Sequence, residues 1–177
     1  MKKIEIYDFG ASGEYCPVDI DSILKCINDA AGEKCNWYLV DWDVTSFTQM
    51  FIDRSPADIY MEIFGFYGDV LGKVIDESQH GILLSWSKLN ALGTCFHGKS
   101  QIAFLGIYGI PKSISPGQLV KNTPSSRYIN FAKLCDYSLE VIDSELWSIY
   151  ARDQDYACFI NTFRKTRIVE VENWVDI

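Results

Sequence analysis

The chain has 177 residues, with 24 Asp and Glu against 16 Lys and Arg and a formal net charge of -8, a field that repels phosphate backbones and anionic lipid and attracts basic surfaces. Hydrophobic residues make up 48% and aromatic residues 14%, too much apolar material for disorder, yet no uninterrupted apolar run approaches the roughly 20 residues of a membrane helix. Composition therefore argues against a nucleic-acid reader and a membrane-spanning protein, and predicts that residues 1–177 form one folded domain.

Residues 2 to 7 place Ile4 and Ile6 in period-two alternation, which predicts an opening strand. Glu5 and Asp8 stand where a signal peptide needs its apolar segment, so the expected compartment is the cytoplasm. The six cysteines (Cys16, Cys26, Cys35, Cys95, Cys135 and Cys158) have no paired short spacing and are expected as reduced thiols. Gly10-Ala11-Ser12-Gly13 stands where a dinucleotide-binding turn would. The third glycine is missing, Glu14 adds negative charge and Cys16-Pro17 intervenes before the next helix, so a connecting turn is expected and no cofactor.

From Asp19 to Ala31 the apolar residues follow helical spacing, with Asp19 as N-cap and Gly32 as the stop. Residues 36 to 43, rich in aromatic and branched side chains, predict a second strand. Ile59 to Tyr67 is nearly all apolar and is read as a buried strand. Gly81 to Leu84 predicts a short strand leading into a helix over 85–92, Gln101 to Tyr108 another strand, and 109–127, with three prolines, a loop. Ser138 to Ile142 and Glu145 to Ala151 form a hairpin about Asp143-Ser144. A helix follows, capped by Asp153 and striped by Tyr156, Phe159, Ile160 and Phe163, and then a strand over 167–172. The order predicts an α+β fold: a single domain with a mixed β-sheet, several packed helices and a C-terminal hairpin-helix-strand unit.

Candidate chemistry is sparse. Cys95 and His97, with His80, are the one set offering zinc ligands or a thiol and its base, but no second ligand pair of recognisable spacing supports them, and no metal is expected. Asp41 and Asp43 flank Trp42 on the second strand, close to Trp37 and Tyr38, an acidic and aromatic combination suited to a basic protein surface. Glu140, Asp143 and Glu145 around the hairpin form a second acidic group. Trp86 and Trp147 are expected in the core, and Trp174 is expected to dock the C-terminal segment.

In size, acidity and composition the chain resembles the small immunity proteins that protect bacteria from nuclease toxins. That resemblance implies one-to-one inhibition of a basic toxin domain by carboxylates standing where a nuclease expects phosphates, with Asp41, Trp42, Asp43, Trp37, Glu140, Asp143 and Glu145 as contacts. Two other readings stay open. One is a small hydrolase or transferase whose site is assembled from dispersed carboxylates or a Cys/His pair; the other is a structural or regulatory subunit.

Overall fold

The computed structural model describes residues 2–7, 13, 18–44, 56–65, 70–78, 80–95, 102–115, 118, 134–142, 146–166 and 168–171. Its strands are β1 (Lys2–Tyr7), β2 (Cys35–Val44), β3 (Ile82–Leu84), β4 (Ile102–Pro111), β5 (Tyr137–Ile142), β6 (Leu146–Ala151) and β7 (Ile168–Val171). The helices are α1 (Ile20–Leu24), α2 (Asp29–Gly32), α3 (Pro56–Phe64), α4 (Leu71–Glu77), α5 (Trp86–Cys95) and α6 (Asp153–Thr162). The strands make one sheet in the order β3-β2-β4-β5-β6-β1-β7. None of the helices is long and apolar enough to cross a membrane, among the described residues.

The fold is α+β, with the expected hairpin, helix and strand following one another from β5 to β7. The sheet itself is not mixed: every described ladder is antiparallel. The reason lies in two strand-helix-strand units. β3-α5-β4 and β6-α6-β7 each join strands that run the same way, as a helical crossover allows. However, β2 is inserted between the first pair and β1 between the second, so no two parallel strands touch.

One face of the sheet carries Ile4, Ile6, Trp37, Leu39, Leu105, Ile107, Leu139 and Ile149. These pack with Ile23 and Leu24 of α1, Ile59 and Ile63 of α3, Leu71 and Ile75 of α4, Leu89 and Leu92 of α5, and Phe159 of α6 into the main core. Trp86 and Trp147 are buried there as expected, and the Trp147 indole donates to the Val18 carbonyl at 3.0 Å. The opposite face holds a smaller cluster of Tyr38, Val40, Tyr108, Ile110 and Cys135.

Several local expectations change. The helix predicted over 19–31 is two short helices: Asp19 does cap the first, accepting from the Ser22 amide at 2.7 Å. Asn28 then caps the second, accepting from the Ala30 amide at 2.9 Å, and such a cap holds its own backbone out of helical geometry and so breaks the run. Ile59 to Tyr67 is no strand, since residues 56–64 are helix α3. Pro56 opens it without losing a needed amide, and Asp58 favours its positive end. Ile59, Tyr60 and Ile63 are buried on one side, while Met61 stays 43% exposed. That apolar residue on the solvent side hid the helical period. Gly65, at φ 82°, ends the helix as left-handed glycines do. β4 runs on through Gly109 to Pro111, beyond the predicted strand. The N-cap of α6 is Arg152, not Asp153, and Arg152 forms an ion pair with Asp136.

Candidate functional site

Alternation along β2 sends Trp37 and Leu39 to the helical side and Tyr38 to the other. Continued without interruption, it would drive Asp41 into the core and Trp42 out of it. A bulge prevents this. Leu39 lies opposite Ile107 and Asp41 opposite Gly106, so Val40 and Asp41 together face a single residue of β4 and the phase of the strand slips by one. Trp42 returns to the core opposite Leu105, its ring edge-on to Tyr60 and Phe64 at 6.3 and 6.2 Å between centroids. Asp41, half-buried, stays off the apolar core, where a carboxylate is costly to bury.

The register then builds a row across the second face. Asp41 of β2 pairs with Gly106 of β4, Gly106 with Glu140 of β5, Glu140 with Ser148 of β6, and Ser148 with Glu5 of β1. Asp41 and Glu140 are two strands apart, about 10 Å at ordinary strand spacing, with only a glycine between them. The adjoining row holds Leu83, Tyr38, Tyr108, Ser138, Tyr150 and Lys3. Its tyrosines and Ser138 are buried, and Leu83, at the edge, is 57% exposed.

Glu140 is the centre of the polar contacts. Its carboxylate accepts from the Tyr108 hydroxyl and from Ser138 Oγ at 3.1 Å. Burial raises its pKa above the usual glutamate value, opposed by the two hydroxyl donors and by the Lys3 charge. Lys3 Nζ lies 3.0 Å from Glu5 Oε1 and 5.8 Å from the centre of the Tyr150 ring.

The raised Glu140 pKa makes a prediction about stability. A carboxyl that binds its proton more tightly when folded favours the native state below its unfolded pKa and loses that advantage as pH rises through its folded pKa. Glu140→Gln, which keeps an oxygen for Tyr108 and Ser138, is therefore expected to gain stability relative to the parent as pH rises from 4 to 8. Urea unfolding of both proteins across that range checks it, and a constant difference would contradict the assigned cause.

The structure brings together Asp41 and Glu140, which sequence had placed in separate groups. Trp37 and Trp42 are corrected: both are buried, Trp37 to 0% exposure, because alternation and the bulge aim both rings at the helices, so neither offers a surface to a partner. Asp43 pairs in register with Phe104, but its side chain lies outside the described residues, as do Asp143, Glu145, His97, Trp174, residues 10–12 and the Cys95 side chain. His80 is half-buried, its amide donating to Ser78 Oγ at 3.2 Å. Tyr108, Tyr150, Ser148, Lys3 and Glu5 were not anticipated. Lys3 with Glu5 and Ser138 with Glu140 are two apart and share a face of any strand, a signal present in the sequence; the juxtaposition of five strands was not.

Chemically, the row offers carboxylates to a guanidinium or ammonium group, over a platform of buried rings whose low polarity strengthens such pairing. Among the described residues no group of three or more His, Cys, Asp and Glu side chains is arranged to hold a metal ion. No protein-family model, curated protein or solved structure matches the chain.

Proposed function

We propose that this chain is an acidic binding protein of the cytoplasm that holds a basic protein in a one-to-one complex, as an immunity protein holds a nuclease-like toxin domain. The observation that carries the reading is the row Asp41, Glu140 and Glu5, three carboxylates from three strands on one face of the sheet, in a chain of net charge -8. The net charge draws a basic partner in, and the half-buried carboxylates fix its register. With Trp37 and Trp42 buried, the apolar anchor on this face is Leu83, beside Tyr38.

The test is association kinetics with the basic protein that the parent chain retains at low salt and releases at raised salt. Asp41→Asn combined with Glu5→Gln is expected to slow association about tenfold at low salt and to flatten its salt dependence, as loss of steering charges does. Unchanged kinetics would remove this face from the complex.

A small hydrolase or transferase is the second reading, and Glu140 favours it. A carboxyl with raised proton affinity beside a tyrosine hydroxyl has the character of an acid-base group. Turnover abolished by Glu140→Gln would select this reading. A salt-insensitive assembly would instead indicate a structural or regulatory subunit.

A further inference from the structure

Cys26 and Cys158 are far apart in sequence and meet at one hydroxyl. Cys26 follows the last turn of α1 and is buried, and Cys158 lies on the exposed side of α6. The Cys26 sulfur lies 3.3 Å from Thr162 Oγ1 and 3.6 Å from the Ser22 carbonyl oxygen. The Cys158 sulfur lies 3.8 Å from the same Thr162 oxygen. Burial pushes the Cys26 thiol up to about 12, and the neighbouring Cys158 thiol contributes in the same direction. One thiol is thus accessible to solvent and the other waits behind it, the arrangement of an attacking and a resolving cysteine.

We propose that Cys26 and Cys158 are a peroxide-responsive pair that closes into a disulfide joining the segment after α1 to α6. In the first step the Cys158 sulfur attacks hydrogen peroxide. A sulfur–oxygen bond forms, the oxygen–oxygen bond breaks, and the departing hydroxide takes the thiol's proton to become water, leaving a sulfenic acid. In the second step the Cys26 sulfur attacks the Cys158 sulfur. The sulfur–sulfur bond forms, the sulfur–oxygen bond breaks, and the hydroxide leaves as a second water with the Cys26 proton. Two thiols lose two electrons in total, and one peroxide is reduced to two waters.

Mild hydrogen peroxide treatment of the folded chain, followed by alkylation and tryptic mapping without reductant, tests this. Trypsin cuts after Lys25, Lys34, Arg152 and Arg164, releasing Cys26 in Cys26–Lys34, apart from Cys35, and Cys158 in Asp153–Arg164. The expected result is loss of two of the six thiols and a linked pair of those two peptides. Cys26→Ser should stop the reaction at the Cys158 sulfenic acid, trapped by a dimedone probe. Cys158→Ser, altered at an exposed position, should fold as the parent does and give no linked pair. An unchanged thiol count, or a disulfide joining other cysteines such as Cys35 and Cys135, would overturn the proposal.

Discussion

Replacing Trp37 by alanine is expected to destabilise the fold by about 3–5 kcal/mol, the range for deleting a buried aromatic side chain. The ring is fully buried and lies between two others, with centroids 5.2 Å from Trp86 and 5.6 Å from Tyr137 and interplanar angles of 30° and 27°. Its indole donates to the Gly32 carbonyl at 3.0 Å. Gly109, opposite it in β4, leaves the space the ring occupies: a Cβ there would lie 2.9 Å from ring carbons. Truncation removes two stacked contacts and one buried hydrogen bond together, and opens a cavity between rigid rings that collapse poorly. Urea unfolding measures the loss, and a deficit below about 1 kcal/mol would contradict this packing. Trp37→Phe, which keeps a ring, should lose less and should bind the basic partner as the parent does, since the side chain has no exposed surface.

Gly81→Ala is the second large expectation, roughly 2–6 kcal/mol, because two penalties coincide. Gly81 has φ 75°, a conformation that disfavours any Cβ. A Cβ there would also overlap the Leu39 carbonyl oxygen and lie 2.9 Å from Val40 Cα. The obstacle is strand backbone next to the β2 bulge and cannot rotate aside. Ser78, whose hydroxyl donates to the Gly81 carbonyl at 2.7 Å, holds the turn in place. Gly65→Ala is the control, since Gly65 has φ 82° and no atom within 4 Å of the added carbon. It should show the conformational penalty alone, about 1–2 kcal/mol. Equal losses at the two positions in thermal or urea unfolding would show that the approach to β2 carries no weight.

Much of the fold is legible in the sequence because its strands alternate and its turns use glycine and polar residues in the usual places. β1, the β5–β6 hairpin and α5 arise where pattern predicts them, and Ser85, whose Oγ accepts from the Lys88 amide at 3.2 Å, caps α5. Legibility fails where one residue shifts the phase. The bulge at Val40 and Asp41 exchanges the faces of β2 halfway along, and nothing in Leu39-Val40-Asp41-Trp42 announces it, since the extra residue is defined only by the partner strand. Trp42 lies in the core for that reason. Legibility also failed at α3, where Met61 and Phe64 made an amphipathic helix look uniformly apolar. The candidate site was the least legible part, because Asp41, Glu140 and Glu5 become neighbours through strand order, a property of the whole sheet.

The place of β1 also bears on how the molecule is made. Its two partners are β6 and β7, so residues 2–7, which precede every other described strand, wait for these partners until residues 146–171 have left the ribosome. β3, β2 and β4, by contrast, have one another by residue 111 and are free to pair earlier in synthesis. Completing the described sheet requires β1 to enter between β6 and β7, a closure of high contact order. Until then Ile4 and Ile6 stay unburied, and that interval is when an unfinished chain is most exposed to aggregation and most in need of a chaperone.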